Sequence, residues 1–313
     1  MQYQPLVTIA IAACNGEKTI EKAVLSALNL SWPNKEIIVI DNGSTDKTTE
    51  ILKKFGQGLY CHFFKEKLGR AKARNEALRR ARGSWIQWLD QDDTLIQDKI
   101  KNHFANACDT ERVDVYYSPI IAVSATGEKK IVPPAPSMNR TPLILWFSSE
   151  LPQTGGYLWK TEAVKKIGGW SDEASLFDDY ELVGRAIRAN LNFAFTPIPG
   201  AYWHYKDKPM DHLQALEFIY QKKKCMDNMV RWLKQQGSMD LFLKREIGKA
   251  YFVIARWLAK EGRIEEAAAL EREQKAMDLF CVDDSWIYHC LYSLFGFPTT
   301  EKIQEFFRKK KQR

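Results

Sequence analysis

Trp85-Ile86-Gln87-Trp88-Leu89-Asp90-Gln91-Asp92-Asp93 decides how this 313-residue chain is read. A mostly apolar run of strand length leads straight into three carboxylates in four positions, which predicts a buried strand ending at a polar edge. Aspartates crowded this closely repel one another unless a cation lies between them, and a hard divalent ion with oxygen ligands is the common solution. Upstream, Lys35 to Ile40 form a second apolar strand that delivers Asp41-Asn42-Gly43-Ser44-Thr45-Asp46. Its glycine suits a turn, and its Ser, Thr and Asp suit the cap of a following helix. Two strands are therefore expected to end in carboxylates on one edge of one sheet.

Outward from these two stretches, apolar strands near 6–13, 36–40, 59–64 and 85–89 alternate with amphipathic helices near 17–29, 45–55, 70–82 and 95–107. Such alternation predicts an α/β fold, a mostly parallel, doubly wound sheet flanked by helices. Ligands of such sheets bind outside the carboxyl ends of the strands, where Asn15, Asp41 and Asp90 to Asp93 fall. From 113 to 205 the pattern is mixed, with a strand-like stretch Val113 to Val123, a Pro-rich loop Val132 to Pro136 and a helix beginning near Phe177. Beyond about 207 the periodicity is helical, broken at Gln236-Gly237-Ser238, at Gly262 and at Phe297-Pro298. Lys249 to Leu279 reads as one tetratricopeptide-style hairpin, a form that needs neighbours to bury a core, and a plain helical appendage is the simpler reading.

The two acidic turns, with three further stretches, resemble family 2 glycosyltransferases of the GT-A fold. Gly69-Arg70-Ala71-Lys72-Ala73-Arg74-Asn75 is similar to that family's Gly-x-x-x-Ala-Arg-Asn helix start. Ile167-Gly168-Gly169-Trp170-Ser171-Asp172 and Phe177-Asp178-Asp179-Tyr180-Glu181-Leu182 resemble its acceptor-side elements. The resemblance covers roughly residues 5 to 205. It implies a GT-A (Rossmann-like) catalytic domain at 1–206, with 207–313 as a helical C-terminal region.

The implied chemistry is a metal-dependent, inverting transfer of a sugar from a nucleoside-diphosphate sugar (UDP, dTDP or GDP) to an acceptor hydroxyl, in polysaccharide or glycoconjugate synthesis. Uracil, thymine and guanine present an N–H from which a fixed carboxylate such as Asp41 can accept. Under the resemblance Asp92 is a ligand of Mn²⁺ or Mg²⁺, and Asp90 holds ribose or a metal-bound water. Arg74 adds positive charge near ribose and phosphates, with an ion pair to Asp90 or Asp41 as its plainer role. Asn15 joins them at the donor edge. His204, in Ala201-Tyr202-Trp203-His204-Tyr205, matches the place where relatives supply a histidine ligand, and Asp179 matches the general base. Three departures stand out: Asn42 replaces a second Asp of the base-binding turn, Asp178 replaces a Glu, and Tyr202 replaces an Arg.

Composition bounds the rest. A net charge of +7 favours anionic partners such as nucleotide diphosphates and is too weak to argue for nucleic acid. Six cysteines show neither a Cys-x-x-Cys pair nor zinc spacing and are expected to be reduced. No leader-like segment opens the chain, no stretch reaches the length of a membrane span, and the expected address is cytoplasmic, with sequons at Asn29, Asn42 and Asn139 as chance matches. The tail Phe306-Phe307-Arg308-Lys309-Lys310-Lys311-Gln312-Arg313 suits either a peripheral contact with the inner face of the membrane or a plain solvated end. Saccharide, lipid-linked and protein acceptors all stay open. Asn228-Met229-Val230-Arg231-Trp232 is similar to a motif of processive synthases, with Asn in place of Gln. The competing readings are a degenerate glycosyltransferase acting as a binding or scaffold module, and a sugar-nucleotide pyrophosphorylase. The latter lacks its Gly-rich loop, since Ala12-Ala13-Cys14-Asn15-Gly16 has one glycine.

Overall fold

The structure is a computed structural model that describes residues 4–106, 110–133, 140–205, 210–279, 281–282 and 286–311. Cys108, the sequon at Asn139, most of the Pro-rich loop, the expected border at 206/207 and the last two residues lie outside the described residues, as do the side chains from Arg308 onward. The described chain forms two compact units, one of residues up to 142 together with 150–208, the other of 143–149 together with the residues from 209 onward.

The first unit contains β1 (Val7–Ala13), α1 (Ile20–Leu28), β2 (Lys35–Asp41), α2 (Thr48–Lys53), β3 (Tyr60–Phe63), α3 (Arg70–Arg80), β4 (Trp85–Asp90), β5 (Thr94–Leu95), α4 (Lys99–Ala105), β6 (Val115–Tyr117), β7 (Ile120–Val123) and β8 (Lys129–Val132). The chain then passes through α5 (Pro142–Phe147) and returns as β9 (Tyr157–Lys160), α6 (Thr161–Lys166), α7 (Asp178–Arg188), β10 (Phe193–Phe195) and β11 (Ala201–His204). Among the described residues these strands make a larger sheet ordered β10-β6-β9-β4-β1-β2-β3 and a smaller one ordered β5-β11-β7-β8. Around β1 all pairings are parallel, while β9 runs antiparallel between β4 and β6.

Burial on both faces explains why β1 reads as an apolar run interrupted only by Thr8, with Val7, Ile9, Ala10 and Ile11 fully buried. Register then sets the site. Ala13 lies opposite Asp41 and Ala12 opposite Asp90, so the strands on either side of β1 deliver their carboxylates to the same edge.

Several expected elements are shorter than their patterns. Leu95, expected to open a helix, is taken together with Thr94 by antiparallel pairing with β11, and α4 starts only at Lys99. The stretch from Val113 to Val123 is two strands in different sheets, broken at Ser118-Pro119, where proline lacks the N–H that a ladder needs.

The second unit holds residues 143–149 with α8 (His212–Gln236), α9 (Leu241–Lys260), α10 (Ile264–Ala276) and α11 (Trp286–Lys311). Asp211 and Gln214 form a reciprocal capping box at the start of α8, Asp240 caps α9, and Gly237 closes α8 in the left-handed region. α9 and α10 are the hairpin expected from Lys249 to Leu279. Gly248 permits it: a β-carbon there would lie 1.8 Å from the Leu279 carbonyl oxygen. Met229 and Val230 are buried in this unit and Arg231 bonds Asn228 one turn earlier, so Met229 and Val230 of the synthase-like stretch serve as helix core. Leu145, Trp146 and Phe147 are buried, and Lys222 donates to Ser149 Oγ at 2.7 Å.

Candidate active site

At the carboxyl ends of β1, β2 and β4 lies a cleft of about 300 Å³ lined by Asn42, Lys67, Arg70, Asp90, Gln91 and Asp92, with Ala12 to Cys14 and Ala73. Gln91 fastens the ends of β4 and β1 together: its Oε1 accepts from Cys14 N at 2.7 Å and its Nε2 donates to Cys14 O at 3.0 Å. This turns Asp90 and Asp92 to the outer edge.

A buried guanidinium organises the carboxylates. Arg74 is 1% exposed, and it donates to Asp90 Oδ1 and to Asp178 Oδ2, both at 2.6 Å, while its plane lies 4.1 Å from the Trp170 ring centre. Burial works against its charge, but Asp90 and then Asp178 outweigh burial and hold its pKa above the usual value. Burial likewise raises Asp90, and Arg74 more than offsets this, leaving the carboxyl below its ordinary range. Gln153, at the turn before β9, donates to the other Asp90 oxygen at 3.1 Å.

Asp93 points the other way. It is 2% exposed, accepts from the His204 backbone N–H at 2.8 Å, and is pushed up to about 8 by burial and then by Asp90, with Asp92 adding to the effect. His204 itself is half exposed, its Nδ1 3.9 Å from Asp93. Among the described residues no group of three His, Cys, Asp or Glu side chains is arranged to hold a metal, so Asp92 and His204 are not gathered into an all-protein cage.

The acidic pair opens α7. Asp178 Oδ2 takes both Arg74 and Arg70, the latter at 2.8 Å, and its Oδ1 accepts from Asp179 N at 3.0 Å. Asp179 accepts from Tyr180 N at 2.7 Å and makes no ion pair among the described residues. Burial, then Asp178, raise its carboxyl to about 6, against the pull of Arg74.

The donor-edge residues divide unexpectedly. Asp41 is 2% exposed, and both its oxygens are engaged inside the turn, by Ser44 N at 3.0 Å and Thr49 Oγ1 at 2.6 Å. It braces the loop and does not line the cleft. Asn15, at φ 53°, accepts from Thr45 N at 2.8 Å and donates its own N–H to the Ser44 hydroxyl oxygen, so it too holds the turn. Asn42 lines the cleft in their place. Gln153 and Lys67 carried no motif in the sequence, and Gln91 stood inside the acidic turn after β4 without any role being read for it.

The chain matches the model of glycosyl transferase family 2 over residues 8–165, half its length. It is 42% identical over 116 residues to the UDP-Glc:alpha-D-GlcNAc-diphosphoundecaprenol beta-1,3-glucosyltransferase WfaP of Escherichia coli, a match spanning 36% of this chain and 45% of that protein. Its fold is similar to S. aureus TarS 1-349 in complex with UDP-GlcNAc (TM-score 0.56, 17% identity, 87% of this chain and 88% of that one). It is also similar to the mannosyltransferase PcManGT from Pyrobaculum calidifontis in complex with GDP-Man and Mn²⁺ (TM-score 0.58, 16% identity, 98% and 89%). With this match laid over the cleft and its paired acidic turns, the chain belongs to glycosyl transferase family 2.

Proposed function

We propose that the chain transfers a sugar, with inversion and with a divalent metal, from a nucleoside-diphosphate donor to the hydroxyl of a saccharide or lipid-linked glycan in polysaccharide or glycoconjugate synthesis. The observation that carries this reading is the Asp90–Arg74–Asp178 bridge. It fixes the carboxylate turn after β4 against the start of α7, where Asp179 is the acid left without an ion pair among the described residues. The relatives' donors, UDP-Glc and GDP-Man, supply the donor class.

The residues fit a hard divalent cation. Asp92 opens on the cleft, and the crowding of Asp90, Asp92 and Asp93 adds to burial in raising Asp93 to about 8. One or two protein carboxylates completed by substrate phosphates is the usual way Mg²⁺ is held, which accounts for the lack of a three-ligand cage among the described residues. Asp92 would hold the ion, with His204 as the second candidate; when bound, it supplies positive charge to the departing diphosphate.

The chain's own residues do the rest. Lys67 and Arg70 line the cleft and give the diphosphate further positive charge, whereas Arg74, buried between two carboxylates, keeps them in register. Asp179, with a carboxyl tuned to about 6, is ionised at neutral pH yet basic enough to take the acceptor's proton as its oxygen attacks the anomeric carbon. Thermal unfolding with UDP, dTDP and GDP, each with Mn²⁺ or with EDTA, tests the reading. Stabilisation is expected with nucleotide plus metal. Equal stabilisation in EDTA would remove the metal, and no shift with any nucleotide would remove the donor.

A further inference from the structure

We infer that the group reading the nucleobase is the side-chain amide nitrogen of Asn42, and that it reads by donating, so the site does not require a ring N–H on the base. This deepens the nucleotide-donor reading and rests on it. Asn42 is 3% exposed and lines the cleft one residue beyond β2. Its Oδ1 accepts from the Leu68 backbone N–H at 2.9 Å. A backbone N–H can only donate, so the amide's orientation is fixed: the oxygen faces the loop, and Nδ2 is left for the cleft. Among the described residues Nδ2 meets no protein acceptor, and it stays open to solvent where Asn42 lines the cleft, so a ligand carbonyl or ring nitrogen can take the place of water as its acceptor.

The position suits a base. Asn42 and Asp90 are at the ends of strands separated only by β1, so their backbones stand about 10 Å apart, two strand spacings. That span is comparable to a nucleoside diphosphate with its phosphates over Asp92 and its base toward β2. The turn is also rigid. Gly43 has φ 71°, and a β-carbon there would lie 2.4 Å from the Glu66 carbonyl carbon, so the loop presses on the turn and keeps the amide in place. Asp41, the carboxylate that would have demanded an N–H, has both oxygens spent on Ser44 and Thr49.

A carboxylate facing the base favours uracil, thymine or guanine through their ring N–H and repels the lone pairs of cytosine. An amide N–H donor in the same place is indifferent to the ring N–H, because uracil offers carbonyl oxygens and cytosine offers O2 and N3. Asn42 is thereby assigned as a specificity-determining residue, one that extends the accepted donors to cytidine nucleotides.

Calorimetric titration of the full chain with UDP and CDP in Mn²⁺, wild type against Asn42→Asp, tests this. The substitution keeps an acceptor for the Leu68 N–H, so the turn is retained. Wild type is expected to bind CDP within about threefold of UDP or tighter, and Asn42→Asp to prefer UDP by about tenfold or more, the factor one hydrogen bond carries. A wild-type preference for UDP of that size, or a ratio unmoved by the substitution while both nucleotides bind, overturns the inference and leaves the donor reading standing. If neither nucleotide binds wild type, the inference falls, and the donor reading falls with it only when dTDP and GDP also fail to bind.

Discussion

Asp178 and Asp179 are neighbours in sequence and differ in partners, and the proposed base rests on that difference. Two arginines hold Asp178, while burial and its neighbour push Asp179 to about 6. A base must be ionised, so the rate should fall as pH drops through about 6 and level off above it. In Asp179→Asn that acid limb should vanish with most of the activity, kcat falling ~10²- to 10⁴-fold at nearly constant donor affinity. Because the raised pKa means that ionised Asp179 is disfavoured in the fold above about pH 6, the variant should be at least as stable as wild type at neutral pH; equilibrium urea unfolding checks this. Normal turnover in Asp179→Asn would take the residue out of catalysis. Arg74→Met should behave oppositely. It leaves Asp178 buried and Asp90 half-buried without the guanidinium that pairs them, at a cost of ~3–5 kcal/mol, read from the same unfolding curves. The carboxylates of β4 and the acids of α7 were legible in the sequence as motifs. Which residue of Asp41-Asn42 turns to the cleft was not, since that depends on hydrogen bonds from Ser44, Thr49 and Leu68 that only the folded loop brings together.

The turn after β2 is the element on which donor binding should depend most. Gly43→Ala adds a left-handed strain and a clash with the backbone of Glu66, so a loss of ~1–3 kcal/mol in stability is expected. Nucleotide affinity should weaken by about tenfold or more as the Asn42 amide shifts, a change of one hydrogen bond's worth. If calorimetry finds both unchanged, the loop is soft and the turn is not a fixed reader. Strands buried on both faces were readable as apolar runs, as β1, β2 and β4 show. Elements owed to distant partners were not: Thr94-Leu95 is a strand because β11 lies alongside it, and the 113–123 stretch is divided by Pro119 into two sheets that its composition cannot distinguish.

At the scale of the whole molecule, no described helix is long and apolar enough to cross a membrane. Phe306 and Phe307 are 65% and 57% exposed on α11, and the sequence beyond them is strongly basic. With ~1 kcal/mol per basic residue near an anionic surface, the chain should co-sediment with acidic vesicles and not with zwitterionic ones, and this binding should disappear when residues 308–313 are removed. Undiminished binding of the shortened chain would clear the tail of that role. The division into units was only partly readable. Residues 143–149 are in sequence only a short apolar run ending in two serines, and only their packing assigns them to the helical unit. A fragment ending at 206 should therefore expose Leu145, Trp146 and Phe147 and aggregate, whereas the full chain stays dispersed in size-exclusion chromatography.

Residues 143–149 also bear on how such proteins can be recombined. If relatives differ in what they carry after the first unit, a crossover at the 206/207 border expected from the sequence would join foreign helices to a resident Leu143–Ser149 segment shaped for the old ones. The hydrogen bond from Lys222 to Ser149 would have no counterpart in such a hybrid. Inheritance of the helical unit is thus a two-point exchange, and chimeras should fold only when the short segment from 143 to 149 is transplanted with its partners.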